Sequence, residues 1–124
     1  DDGLYAASRF LELMDKTKKS ADEIIQTLPS SVNTPELFIA VEEQEKFSIM
    51  ETLMHEFSLK DAAINTLDGL RVSLKKSWGL IRASNTTPNL VLRFEAENED
   101  DLQHIIAQFR AELFRILPQL TIAF

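Results

Sequence analysis

Two stretches of strict alternation restrict the fold of this chain more than any other feature. Leu70, Val72 and Leu74 alternate with Arg71 and Ser73, and Leu90, Leu92, Phe94 and Ala96 alternate with Val91, Arg93 and Glu95. A period of two places successive side chains on opposite faces, so both stretches read as half-buried strands. Asp68-Gly69 before the first is a tight-turn dipeptide that predicts a hairpin with a strand over Ala63–Leu67. Trp78–Ala83 and the apolar run Glu36–Val41 (ELFIAV) supply further strands. The periodicity changes to helical in two places. Gln44–Phe57 carries an apolar face of Phe47, Met50, Leu53, Met54 and Phe57. Asn98 caps a long helix with Glu99, Asp100 and Asp101 in its first turn. Leu102, Ile105, Ile106, Phe109, Leu113, Ile116 and Leu117 form its stripe, and Arg110 and Arg115 lie toward its favourable C-terminal end. From residue 36 the order is therefore β-α-β-β-β-β-α with short central connections. The expected fold is α+β: a mainly antiparallel four- to five-stranded sheet with two helices on one face.

The chain before residue 36 has a different texture. Leu4, Ala7, Leu11 and Met14 form a helical stripe widened by Phe10 and Leu13, and Asp1 or Asp2 suits its N-cap. Lys16-Thr17-Lys18-Lys19 suits its C-terminal end by charge. Ser20-Ala21-Asp22-Glu23 is a capping box that opens a second short helix with Ile24, Ile25 and Leu28 on its apolar side. Two such helices cannot bury both faces unaided. Residues 1–28 are thus expected to be the tail of a preceding domain, and the Asp1-Asp2-Gly3 start, without Met, reads as a piece of something longer. Pro29-Ser30-Ser31-Val32-Asn33-Thr34-Pro35 is hinge or linker chemistry. Residues 36–124 are expected to form the C-terminal domain.

Composition narrows the function classes. With 124 residues, 44% hydrophobic and 27% charged, the chain is long enough for a real core. Its net charge of −7 argues against nucleic-acid binding, which needs a basic surface. No apolar run is long enough to span a membrane. The absence of cysteine excludes disulfides, thiolate metal sites and a cysteine nucleophile, and fits a cytoplasmic setting.

One segment carries chemistry. In Trp78-Gly79-Leu80-Ile81-Arg82-Ala83-Ser84-Asn85-Thr86-Thr87-Pro88, a guanidinium precedes four small hydrogen-bonding residues, and a proline closes the run. Ser84, Asn85, Thr86 and Thr87 offer three hydroxyls, an amide and consecutive backbone N–H groups, the makings of an anion-binding nest. Arg82 adds a bidentate donor for a phosphate. The plain alternative is a polar surface hairpin with Arg82 merely solvated. A net acidic chain is no obstacle, because one arginine and oriented amides set the local potential.

DGLRV at 68–72, WGLIRASNTTP at 78–88 and LVLRFEAENED at 90–100 resemble the C-terminal domain of the α-D-phosphohexomutase superfamily, in particular its bacterial phosphomannomutase/phosphoglucomutase branch. The start of the chain, DDGLYAASR, resembles the last helical stretch of that family's third domain. The resemblance implies a four-domain enzyme that interconverts hexose 1-phosphates and 6-phosphates. A phosphoserine and a bound Mg2+ act through a hexose 1,6-bisphosphate intermediate. Its fourth domain grips the phosphate that is not being transferred and closes the active site. Arg82, Ser84, Asn85 and Thr86 match that phosphate-binding loop, and Thr87 is an adjacent candidate. The related phosphoglucosamine mutases tend to have Gly-Thr-Glu where this chain has Asn85-Thr86-Thr87, which tilts the likeness toward the mannose/glucose branch.

The serine loop, the metal loop and the sugar-recognition loop have no counterpart here. The chain is accordingly expected to bind no metal or cofactor tightly and to catalyse nothing alone. Its partners would be a phosphosugar and the three upstream domains, with the hinge bringing the Arg82 loop over the sugar. The competing reading is a free-standing α+β ligand-binding or protein-interaction module. His55 and His104 lie in no metal-ligand spacing and read as helix-surface residues. Phe47, Met50, Met54 and Phe57 read as core. Trp78 reads as a core or sheet-edge residue with a lesser claim to floor the loop. Lys75 and Lys76 read as a polar turn, and Glu42-Glu43 and Glu95–Asp101 as a solvated face and a helix start.

Overall fold

The computed structural model describes residues 2–122 and 124, so Asp1, one of two N-cap candidates, lies outside the described residues. The chain divides after Ser30 into two compact units. The first is helical. In α1 (Gly3–Thr17) the Tyr5 N–H donates to Asp2 Oδ1 at 2.9 Å, which makes Asp2 the N-cap, and Lys18 ends the helix in the left-handed region at φ 55°. In α2 (Ala21–Ile25) the capping box is present: the Ser20 N–H donates to Glu23 Oε2 at 2.7 Å and the Glu23 N–H to Ser20 Oγ at 3.3 Å. The bonds from Ser20 hold the Glu23 carboxyl below its ordinary pKa. Neither helix contains a buried residue.

The second unit is a six-stranded antiparallel sheet with two helices on one face. Its elements are β1 (Val32–Asn33), β2 (Leu37–Ala40), α3 (Lys46–Glu56), β3 (Ala63–Asn65), β4 (Leu70–Ser73), β5 (Ser77–Ala83), β6 (Asn89–Ala96) and α4 (Glu99–Ile116). The spatial order is β1-β6-β5-β4-β3, with β2 also on β6. Strands β3 to β6 form a meander, as the short connections required. The extra strand, β1, falls inside the stretch read as linker: Val32 pairs with Ala96 and Asn33 with Glu95. The Thr34 N–H then donates to the Phe94 carbonyl at 3.0 Å. Between β1 and β2 the register against β6 shifts by one residue, a bulge at the point where Pro35 has no N–H to offer the ladder.

The expected alternation is observed on the helix side of the sheet, but Val91 on the outward face is buried as well, and Leu74 lies beyond the end of β4. Leu70 and Val72, Ile81, and Leu90, Leu92, Phe94 and Ala96 are buried with Ile39 on the helix side. Ile49, Met50 and Leu53 of α3 and Leu102, Ile105, Phe109 and Leu113 of α4 complete the core. Gly79 lies in this layer because a side chain there would collide with aromatic rings: a Cβ would stand 2.5 Å from Phe109 Cε2 and 2.8 Å from Phe94 Cδ1. Phe47, expected in the core, is 61% exposed, whereas the core position on its turn is taken by Lys46 at 1%. At 100° per residue, Lys46 falls midway across the face formed by Ile49, Met50, Leu53 and Phe57, and Phe47 falls beyond its edge.

The two helices are clasped at their ends. Arg115 donates to Glu112 Oε1 and Oε2 at 3.1 and 2.8 Å and to the Glu56 carbonyl at 2.7 Å, while Glu112 accepts the Ser58 N–H at 3.1 Å. These bonds, led by that of Arg115, hold the Glu112 carboxyl below its ordinary value of 4.5. A depressed carboxylate contributes stability above its unfolded pKa and loses it as pH falls through the folded one. Glu112→Gln should therefore lower Tm at pH 7 by a few degrees and reduce the loss of stability below about pH 4.5, followed by thermal melts from pH 7 to 3. An acid limb identical to that of the parent chain would contradict this. Among the described residues, no helix is long and apolar enough to cross a membrane.

Candidate functional site

The sheet face opposite the helices is where the outward half of each strand emerges. It carries Arg71 on β4, Trp78, Leu80 and Arg82 on β5, Val91 and Arg93 on β6 and Phe38 on β2. Register places Arg71 opposite Leu80, Leu80 opposite Arg93, Arg82 opposite Val91 and Val91 opposite Phe38. Three of the chain's arginines thus share one face of an acidic molecule, and among the described residues none of the three forms an ion pair. Arg71 lies with its guanidinium carbon 4.0 Å from the Trp78 ring centroid. Trp78 is at the far end of β5 from the loop and does not floor it.

Residues 84–88 form the tip of the β5–β6 hairpin. The Ser84 N–H donates to the Asn89 carbonyl at 2.9 Å and the Asn89 N–H to the Thr87 carbonyl at 2.8 Å, which closes the turn. Inside it, Ser84 Oγ collects three donors: the Thr86 N–H at 3.4 Å, the Thr87 N–H at 3.2 Å and Thr87 Oγ1 at 2.8 Å. Thr87 Oγ1 also accepts from Asn89 Nδ2 at 3.1 Å. The consecutive amides of Thr86 and Thr87 therefore converge on one point, occupied by a hydroxyl oxygen. An anion oxygen that took this point would keep both N–H groups satisfied and would gain charge assistance.

Arg82 and residues 84–87 line one open cleft of about 340 Å³, walled by Phe38, Val91 and Glu36. All five predicted residues are thus brought together. The wall residues escaped sequence reasoning, because Phe38 reaches Arg82 only through the long-range β2–β6 pairing. Arg82 itself is seated by the Asp68-Gly69 turn. Gly69 has φ 81°, and a Cβ there would stand 2.4 Å from the Ile81 carbonyl and 2.7 Å from Arg82 Cβ, so only glycine lets the turn pass behind the arginine. A second groove of about 300 Å³, shared at Arg82 and Asn85, opens toward Phe47 and Met54 of α3. His55 and His104 are exposed helix residues. Among the described residues no group of three or more His, Cys, Asp or Glu side chains is arranged to hold a metal ion.

Comparison with known proteins bears on what such a loop is for. Residues 36–112 match the family model described as phosphoglucomutase/phosphomannomutase, C-terminal domain. The chain belongs to this family. It is 45% identical over 124 residues to the phosphomannomutase/phosphoglucomutase of Pseudomonas putida, covering 100% of this chain and 27% of that protein. It is 43% identical over 113 residues to a phosphoglucomutase of Neisseria meningitidis serogroup B, covering 90% of this chain and 24% of the other. A crystal structure of a phosphoglucomutase/phosphomannomutase family protein from Burkholderia thailandensis superposes with a TM-score of 0.83 at 35% identity, covering 100% of this chain and 26% of that one. The chain thus spans about a quarter of the length of these family members, at their C-terminal domain.

Proposed function

We propose that this domain binds the non-transferred phosphate of a hexose phosphate and, within a longer phosphomannomutase/phosphoglucomutase, closes over the active site. The observation that carries the reading is the convergence of Arg82, Ser84, Asn85, Thr86 and Thr87 on one cleft. Arg82 offers two parallel donors to a phosphate, and the amides of Thr86 and Thr87 supply two more once Ser84 Oγ turns aside. The Asn85 amide and the Thr86 hydroxyl, exposed at the rim, complete the set. Each hydrogen bond to a charged group contributes about 1.5–3 kcal/mol, enough for an exchangeable grip on a phosphate ester.

The reaction itself, interconversion of hexose 1-phosphate and 6-phosphate, belongs to groups outside these residues. On this reading Mg2+, the phosphorylated serine and the hexose 1,6-bisphosphate would be held by upstream domains. The isolated chain is expected to show no phosphohexomutase turnover, and detectable turnover would refute this. Rotation of the domain would fall on Pro29-Ser30-Ser31, since Val32, Asn33 and Thr34 are bonded into the sheet. Scattering on the longer enzyme should show compaction with substrate.

The deciding experiment is titration of the chain with inorganic phosphate and with glucose 1-phosphate, followed at backbone amides. Shifts confined to residues 82–89, saturating at millimolar concentrations, are expected. No shift there at high ligand concentration would favour the protein-interaction module instead.

A further inference from the structure

One buried charge stands under the loop without being part of the cleft. Lys46, the first residue of α3, is 1% exposed. Its Nζ lies 2.6 Å from Glu43 Oε1, 3.5 Å from the Thr87 carbonyl oxygen and 5.2 Å from the centroid of the Phe47 ring. A buried ammonium is costly, and an apolar side chain of similar length would fill a core position at less expense. The pairing with Glu43 does not explain the burial, because Glu43 is 61% exposed and could be met by a lysine at the surface. The contact that the ammonium makes only by being inside is the long one, 3.5 Å, to the Thr87 carbonyl.

That contact sits where the loop needs an anchor. The Thr87 carbonyl also takes the Asn89 N–H, and the next carbonyl, that of Pro88, accepts the Val41 N–H at 3.1 Å. Two successive carbonyls on the descending limb are thus held, that of Pro88 by the backbone amide of Val41 just after β2 and that of Thr87 by the ammonium of Lys46 at the start of α3. Between Thr87 and Asn89 the proline supplies no N–H of its own. On the reading that the loop grips phosphate, we propose that Lys46 is a positioning residue for it. By holding the Thr87 carbonyl from below, Lys46 keeps the Thr86 and Thr87 amides converged on the cleft.

The test is ¹⁵N relaxation and phosphate titration on the chain, on Lys46→Met, which keeps the length and removes the charge, and on Glu43→Gln. In ligand-free Lys46→Met the order parameters of Thr86, Thr87 and Asn89 should fall from the rigid range of about 0.85 toward 0.6, with those of Leu90 and Leu92 unchanged. Affinity for inorganic phosphate should fall at least fivefold. Glu43→Gln, at an exposed position, should leave the loop rigid and raise phosphate affinity a few-fold, since the ammonium keeps Thr87 and loses its counter-charge. A parent chain that ignores phosphate overturns the phosphate reading itself. A parent chain that binds, with Lys46→Met equally rigid and equally tight, overturns the role of Lys46 alone. So does loosening that spreads equally to Leu90 and Leu92, and so does a Glu43→Gln chain with weakened phosphate binding.

Discussion

Arg82→Ala should weaken phosphate binding at the hairpin tip by roughly ten- to a hundredfold while leaving the fold intact. The side chain leaves the sheet on the face that carries no helix, and among the described residues it has no ion-pair partner; it is half-buried beside Val91 in an open cleft, so its loss uncovers part of that wall without leaving an enclosed cavity. The effect follows from removing one bidentate, charge-assisted donor, about 1.5–3 kcal/mol at 1.4 kcal/mol per tenfold. Arg82→Lys separates charge from geometry. It keeps the cation, loses the planar fork, and should recover only part of the binding. In the longer enzyme both KM and kcat should suffer, because a phosphate held off its mark also misplaces the reacting end of the sugar. Steady-state constants indistinguishable from those of the unmodified enzyme would sink the assignment. Ser84→Ala is the informative companion: it removes the oxygen on which the Thr86 and Thr87 amides now converge.

The largest effect on stability should come from a single added methyl group. Gly79→Ala puts a Cβ against Phe109 Cε2 at 2.5 Å, Phe109 Cζ at 2.7 Å and Phe94 Cδ1 at 2.8 Å. These atoms are not free ends of flexible side chains. The Phe109 ring is held edge-on to Phe94 at 5.0 Å between centroids and tilted on Phe57 at 4.9 Å. All three rings are in the buried core. Relief requires α4 to shift away from β5 or the aromatic cluster to repack, an overpacking cost on the order of 3 kcal/mol and a drop in Tm of roughly 10–20 °C. The gain in strand propensity over glycine offsets less than about 1 kcal/mol of this. Adding Phe109→Leu to Gly79→Ala should restore part of the loss, so that the two changes are less than additive. A Gly79→Ala chain that melts with the parent would show that the aromatic cluster gives way freely.

Much of this architecture is legible along the chain, and the reasons are local. The strands at 70–73 and 89–96 show through because one face of the sheet is covered and the other is not. The Asp68-Gly69 turn is legible because a residue at φ 81° is nearly always glycine. The capping box at Ser20 and Glu23 and the Asn98 cap are satisfied within three residues, so the letters alone suffice. The candidate site residues are adjacent in sequence, which is why Arg82 and 84–87 are legible as one cluster. Lys46 also leaves a trace: residues 46, 49, 50, 53 and 57 keep the spacing of one helical face. A lysine in the middle of such a face reads as an error until the Thr87 carbonyl opposite it is known.

The remainder depends on contacts between residues far apart. β1 is two residues long, too short for any periodicity, and exists only because β6 has a free edge beside it. The wall of Phe38 and Val91 beside Arg82 needs β2 to dock on β6, more than fifty residues later in the chain. Gly79 shows as one glycine in a strand, and its necessity appears only when α4 lays Phe109 across it. Side-chain period, caps and turns are set by near neighbours and can be read from letters. Pairing partners, cleft walls and the site of a buried charge are set by what folding brings alongside, and in this chain they turn a polar hairpin into a walled cleft with one arginine in it.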